Sequence, residues 1–74
     1  MSEYLKLYML EPGQEFHIVD IGDEITIGEG EEEYTFFNKL RYEGMDGMYA
    51  KCLDMNLRLH FINGNTAIKP FHYH

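Results

Sequence analysis

The chain has 74 residues, a net charge of −7 from 13 acids against 6 strong bases, and a single cysteine. That length holds one core, so residues 1–74 are expected to form one domain, and one cysteine excludes a disulfide-stapled module. No run of about 18 apolar residues could span a membrane as a helix, nothing reads as a signal peptide, and the negative charge counts against direct binding to nucleic acid or anionic lipid.

Taken in chain order, Tyr4 to Leu10 places Leu5, Leu7 and Met9 at period two and predicts a half-buried strand. Glu11-Pro12-Gly13 is a turn in which Pro presets φ and Gly supplies a positive one. Gln14 to Ile21 is a second extended run with apolar residues on both faces, closed by Gly22-Asp23, and Glu24 to Ile27 is a short strand. Gly28 to Glu33 has two glycines, four carboxylates and no apolar residue, which predicts a solvated loop. It is no phosphate cradle, since it lacks a lysine and its acids repel phosphate.

Tyr34 to Glu43 is the clearest amphipathic strand, with Tyr34, Phe36, Asn38, Leu40 and Tyr42 on one parity. Gly44-Met45-Asp46-Gly47 is predicted as a turn. Met48 to Leu53 follows as a strand with Met48, Ala50 and Cys52 on one face, and Cys52 is expected to be a small buried hydrophobe. Asp54-Met55-Asn56 is a tight connection in which Asn56 can adopt the left-handed conformation. Leu57 to Ile62 is its hairpin partner, with Leu57, Leu59 and Phe61 inward and Arg58 and His60 outward. After a turn at Asn63-Gly64-Asn65, Thr66 to Phe71 forms a last strand. Pro70 cannot donate to a ladder, so that strand is an edge or ends there.

No segment repeats at the helical period of about 3.6 residues. Five or six short strands with frequent turn signals predict an all-β chain closed into a small SH3-like barrel, closure removing the exposed edges of a small sheet. The missing helix after the third strand argues against an OB-fold. Phe37 to Ile68, through Asp46-Gly47-Met48-Tyr49, Cys52, Asp54, His60-Phe61, Thr66 and Ile68, resembles a group of small phage-encoded proteins of SH3-like type and unknown function. The chain departs from that pattern at Met55-Asn56, where a glycine is expected. The resemblance implies a phage-type accessory protein, located in the cytoplasm of a host cell, and brings no catalytic residue.

The charge is uneven. Residues 1–33 hold ten acids against Lys6 alone, and residues 34–74 three acids against five bases. An acidic face of Glu11, Glu15, Asp20, Asp23, Glu24, Glu29, Glu31, Glu32 and Glu33, with Tyr34 and Phe37 as aromatic anchors, is suited to a partner protein with a basic surface. A host nucleic-acid-binding protein fits, the carboxylates standing in for phosphates. The carboxylates in a glycine loop hold no fixed separation for acid–base work, so no enzyme and no cofactor is expected. Two other readings stand beside this one. The chain is a monomer or weak homo-oligomer, and in the latter case an assembly protein pairs through an edge strand such as Thr66 to Phe71. The third reading is weak metal binding through His72 and His74, which share one face if extended, with His60 or His17 as a third ligand.

Overall fold

The computed structural model describes residues 4–71. It is all-β, with eight short strands: β1 (Leu5–Lys6), β2 (Glu15–Ile18), β3 (Glu24–Ile27), β4 (Tyr34–Phe37), β5 (Leu40–Asp46), β6 (Tyr49–Leu53), β7 (Leu59–Asn63) and β8 (Ala67–Pro70). Six of them form one antiparallel sheet in the order β1-β8-β2-β5-β6-β7, and β3 and β4 form a separate hairpin. The larger sheet does not close, because β1 and β7 end the order without pairing to each other. The expected count of five or six strands is therefore exceeded.

The core consists of Leu7, Leu10, Phe16, Phe36, Leu40, Tyr42, Ala50, Cys52 and Ile68, with Ile18, Ile25, Tyr34 and Ile62 packed against it. Phe36, Ile25 and Tyr34 come from the hairpin and the others come from the sheet and the segment before β2, so the hairpin lies against one face of the sheet.

The run predicted as one strand from Tyr34 to Glu43 is two strands in two different sheets, and Asn38 is the joint. Its backbone N–H donates to the Asp23 carbonyl at 2.8 Å, one step beyond the Glu24↔Phe37 pair of the hairpin. Its side chain stands in for a backbone in the other sheet, at the position that continues the β2–β5 register of Phe16↔Leu40. There the Ile18 N–H donates to Oδ1 at 2.9 Å, and Nδ2 donates to the Ile18 carbonyl at 2.9 Å and the Gly22 carbonyl at 2.7 Å. The inward parity of Phe36, Asn38, Leu40 and Tyr42 is as expected, and all four are buried. Periodicity registers the face and is blind to the change of sheet.

Other expectations are corrected in the same way. Only Leu5 and Lys6 of the first run are extended. Leu7–Met9 is a 3₁₀ turn, so Leu7 and Leu10 are buried at a spacing of three while Leu5 and Met9 are exposed. The second run is regular only over Glu15–Ile18. Gly44 to Gly47 is no turn: β5 passes through a bulge between Tyr42 and Gly44 and continues to Asp46, and the reversal is Gly47-Met48. Gly47 carries a φ of +66° and Met48 does not share it, the pattern of a two-residue hairpin with glycine first. In the next turn the left-handed residue is Leu57 (φ 65°), not Asn56. The facing of β7 is reversed: His60 and Ile62 are half-buried, and Leu57, Leu59 and Phe61 point out. The last strand, β8, is not an edge, since β1 and β2 flank it. It ends at Pro70, past the reach of β1, so the proline removes no bond from that ladder.

Replacing Asn38 by Ala leaves the N–H and C=O of Ile18 and the carbonyl of Gly22 without their partner. The expected loss in unfolding free energy is roughly 2–4 kcal/mol, measured by urea denaturation against the wild type.

Candidate functional site

The acids from Asp20 to Glu33 lie on and around the β3–β4 hairpin. Glu24 pairs across it with Phe37, and Asp20 and Asp23 lie at its base. Glu29, Glu31, Glu32 and Glu33 occupy the connection at its tip, where Gly30–Glu32 form a 3₁₀ turn. The tip closes tightly at Gly28, whose φ is +86° and whose missing Cβ would meet the Glu32 carbonyl oxygen at 2.5 Å, so only glycine fits. All seven acids are exposed, and none forms an ion pair with another described residue. Lys69 lines the same surface depression as Asp20 and Asp23.

The structure does not bring the whole acidic set together. Glu11 lies in the turn before β2, where its N–H is bound by the Gln14 side chain at 2.7 Å. Glu15 pairs across the sheet with Arg41 and shares a depression with Arg41 and Lys39. Two bases stand beside this single acid, whereas among the seven acids of the hairpin Asp20 and Asp23 share a depression with Lys69, and Glu32 shares one with Arg58.

The two aromatic anchors also part company. Phe37 is 53% exposed at the hairpin base, beside His17, Asp23 and Phe71. Tyr34 is half-buried and tied down: its hydroxyl donates to Asp54 Oδ2 at 2.8 Å. Asp54, expected as a turn residue, is buried and forms a polar node. Its Oδ1 accepts the N–H groups of Asn56 at 2.7 Å and Arg58 at 3.0 Å, which shapes the turn between β6 and β7. Its Oδ2 also lies 2.7 Å from His60 Nε2. An ionised carboxylate can only accept, so Nε2 carries the hydrogen. The His60 ring stacks on Phe36 at 4.3 Å, and the Arg58 guanidinium lies over Tyr34 at 4.4 Å. An aspartate followed at two and four residues by free N–H groups is an Asx-turn signal, and it was available in the sequence. The bonds to Tyr34 and His60 were not, because they join distant segments.

This node fixes the hairpin to the turn and to β7, and it does not assemble a reactive group. Cys52 pairs across strands with His60, but its thiol is fully buried. Burial, with a smaller contribution from Glu43, pushes it up to about 12, so it stays protonated. His60 is occupied by Asp54, and His72 and His74 lie outside the described residues. Among the described residues no three His, Cys, Asp or Glu side chains converge as a metal site, and no helix is long and apolar enough to cross a membrane. No family model, curated protein or solved structure matches the chain.

Burial by itself would push the Asp54 carboxyl up. The hydrogen bonds from His60, the Arg58 N–H, Tyr34 and the Asn56 N–H outweigh it and hold the group at about 2, below its ordinary 3.8. The stability this supplies is whole above the unfolded value and is lost as pH falls through about 4 towards 2. Urea unfolding should lose roughly 2 kcal/mol over that window on this account. Asp54→Asn should be less stable at neutral pH and should lack that part of the acid dependence.

Proposed function

We propose that the protein is a non-enzymatic protein-binding module, a phage-type inhibitor or regulator, whose β3–β4 hairpin engages the basic surface of a host protein. The observation that carries this reading is the separation of charge: seven exposed carboxylates around one hairpin, with no ion pair to another described residue. Such a field attracts a basic surface and speeds encounter. Exposed Phe37 supplies an apolar contact at the hairpin base, and the node at Asp54 supports a preorganised geometry, which lowers the cost of binding. Tyr34 acts here as a positioning residue and not as an anchor. A host protein that normally holds nucleic-acid phosphates offers the matching cationic surface. The SH3-like class remains part of this proposal, and the small, all-β, antiparallel character of the chain supports it.

The partner is obtained by affinity capture from host lysate at low salt, and its affinity is then measured across a salt series. Affinity should fall steeply as salt rises. The triple reversal E31K/E32K/E33K should weaken binding by about 100-fold or more, on the order of 3 kcal/mol. Unchanged affinity in that variant would make the acids a solubility device and nothing else.

A further inference from the structure

β7 ends the larger sheet, and among the described residues no strand pairs with its outer side. Two bonds just beyond its ends reveal which of its backbone groups face outward. Asp54 N–H donates to the Arg58 carbonyl at 3.1 Å, and Gly64 N–H to the Met48 carbonyl at 2.9 Å. Both fall on the register of Cys52↔His60 and Ala50↔Ile62. Bonded and non-bonded pairs alternate in an antiparallel ladder. His60 and Ile62 therefore turn their N–H and C=O groups to β6, and Leu59, Phe61 and Asn63 turn theirs to the open edge. The Asn63 carbonyl already accepts from Thr66 at 3.0 Å. The groups of Leu59 and Phe61 have no strand beside them.

Edges of this length are usually protected by Lys, Pro or an inward charge. β1, the opposite edge, has two residues, one of them Lys6. β7 has five and carries none of these, and its Leu59 and Phe61 side chains are about half exposed. Beside the strand, on the side to which half-buried His60 turns, lies a depression of about 480 Å³ lined by His60 with Gly28, Glu32, Tyr34, Arg58 and Leu59. The acidic tip of the hairpin thus borders the open edge. Arg58, which also lines it, is held over the Tyr34 ring.

We infer that the open edge of β7 is a docking site for an extended segment of the partner protein, which adds as a strand and alternates apolar with basic residues. The alternation follows from the pleat, since successive side chains of an added strand fall on opposite faces. One set lies beside Leu59 and Phe61. The other points to the depression and the carboxylates at the tip, where Lys or Arg is favoured. A second copy of this chain pairs less well, because it brings a like-charged body of net −7. This inference rests on the proposal of a basic partner and adds how that partner is held.

The probes are two octapeptides of equal Lys and Val content, one alternating and one with the residues in two blocks. The protein is assembled by ligation at Cys52, with and without an N-methyl group on the Phe61 backbone. That change removes one outward donor and no bond to β6. The alternating peptide should bind at least about tenfold tighter than the blocked one, with shifts in the Leu59 and Phe61 amide resonances, and N-methylation should erase the preference. L59K/F61K should do the same by placing charge at the edge. Equal binding of both peptides, or a preference that survives N-methylation, overturns the docking site. If such equal binding is lost in E31K/E32K/E33K, the acidic hairpin stands without the edge. A dimer seen by sedimentation without peptide and lost on N-methylation assigns the edge to a second copy and overturns the partner segment. Failure of both peptides to bind at low salt overturns both proposals.

Discussion

One side-chain amide lets this small chain build two sheets. Asn38 gives its backbone to the β3–β4 hairpin and its side chain to the ladder of β2. A continuous strand would have kept Tyr34 to Glu43 in a single sheet, with no separate hairpin to carry the acids. Buried backbone groups must be paired, and an amide carries both a donor and an acceptor, as a peptide group does. Apolar residues of similar size cannot make that exchange, and a carboxylate lacks the donors that reach the Ile18 and Gly22 carbonyls.

Asp54 performs the matching task at the other end of the hairpin. It organises the turn before β7 through two N–H groups, and it binds Tyr34 from the hairpin and His60 from the strand. The hairpin is held near its base by Asn38 and along its length by Phe36, Tyr34 and Asp54. Its acidic tip is thereby presented beside β7. The functional surface proposed for the protein depends on these two buried polar groups, although neither is exposed to a partner.

The legible parts of the fold were those governed by short-range rules. The Pro12-Gly13 turn, the β3 strand, the acidic loop and the inward parity of Phe36, Leu40 and Tyr42 all follow from residue type and period. β7 has the reverse of its expected facing, although Leu57, Leu59 and Phe61 are the more apolar set. The turn geometry imposed by Asp54, with Leu57 left-handed, sets the register of the strand, and a one-residue slip exchanges its faces. The first run departs from its period for a related reason. Period two was present in Leu5, Leu7 and Met9, but a 3₁₀ turn is fixed there by N–H donation from Leu7 and Tyr8 to the carbonyls of Thr66 and Gly64.

By itself the sequence determined the all-β character, the uneven charge and the solvated acidic loop, because composition and alternation act locally and need no partner strand. Tertiary structure alone decided that the sheet stays open at β7, that Glu11 and Glu15 lie apart from the other acids, and that Tyr34 serves the fold and Phe37 the surface. Each of these depends on pairing between residues far apart in the chain. Such pairing is set by a few buried polar groups, and their identity as joints becomes visible only once their partners are in place.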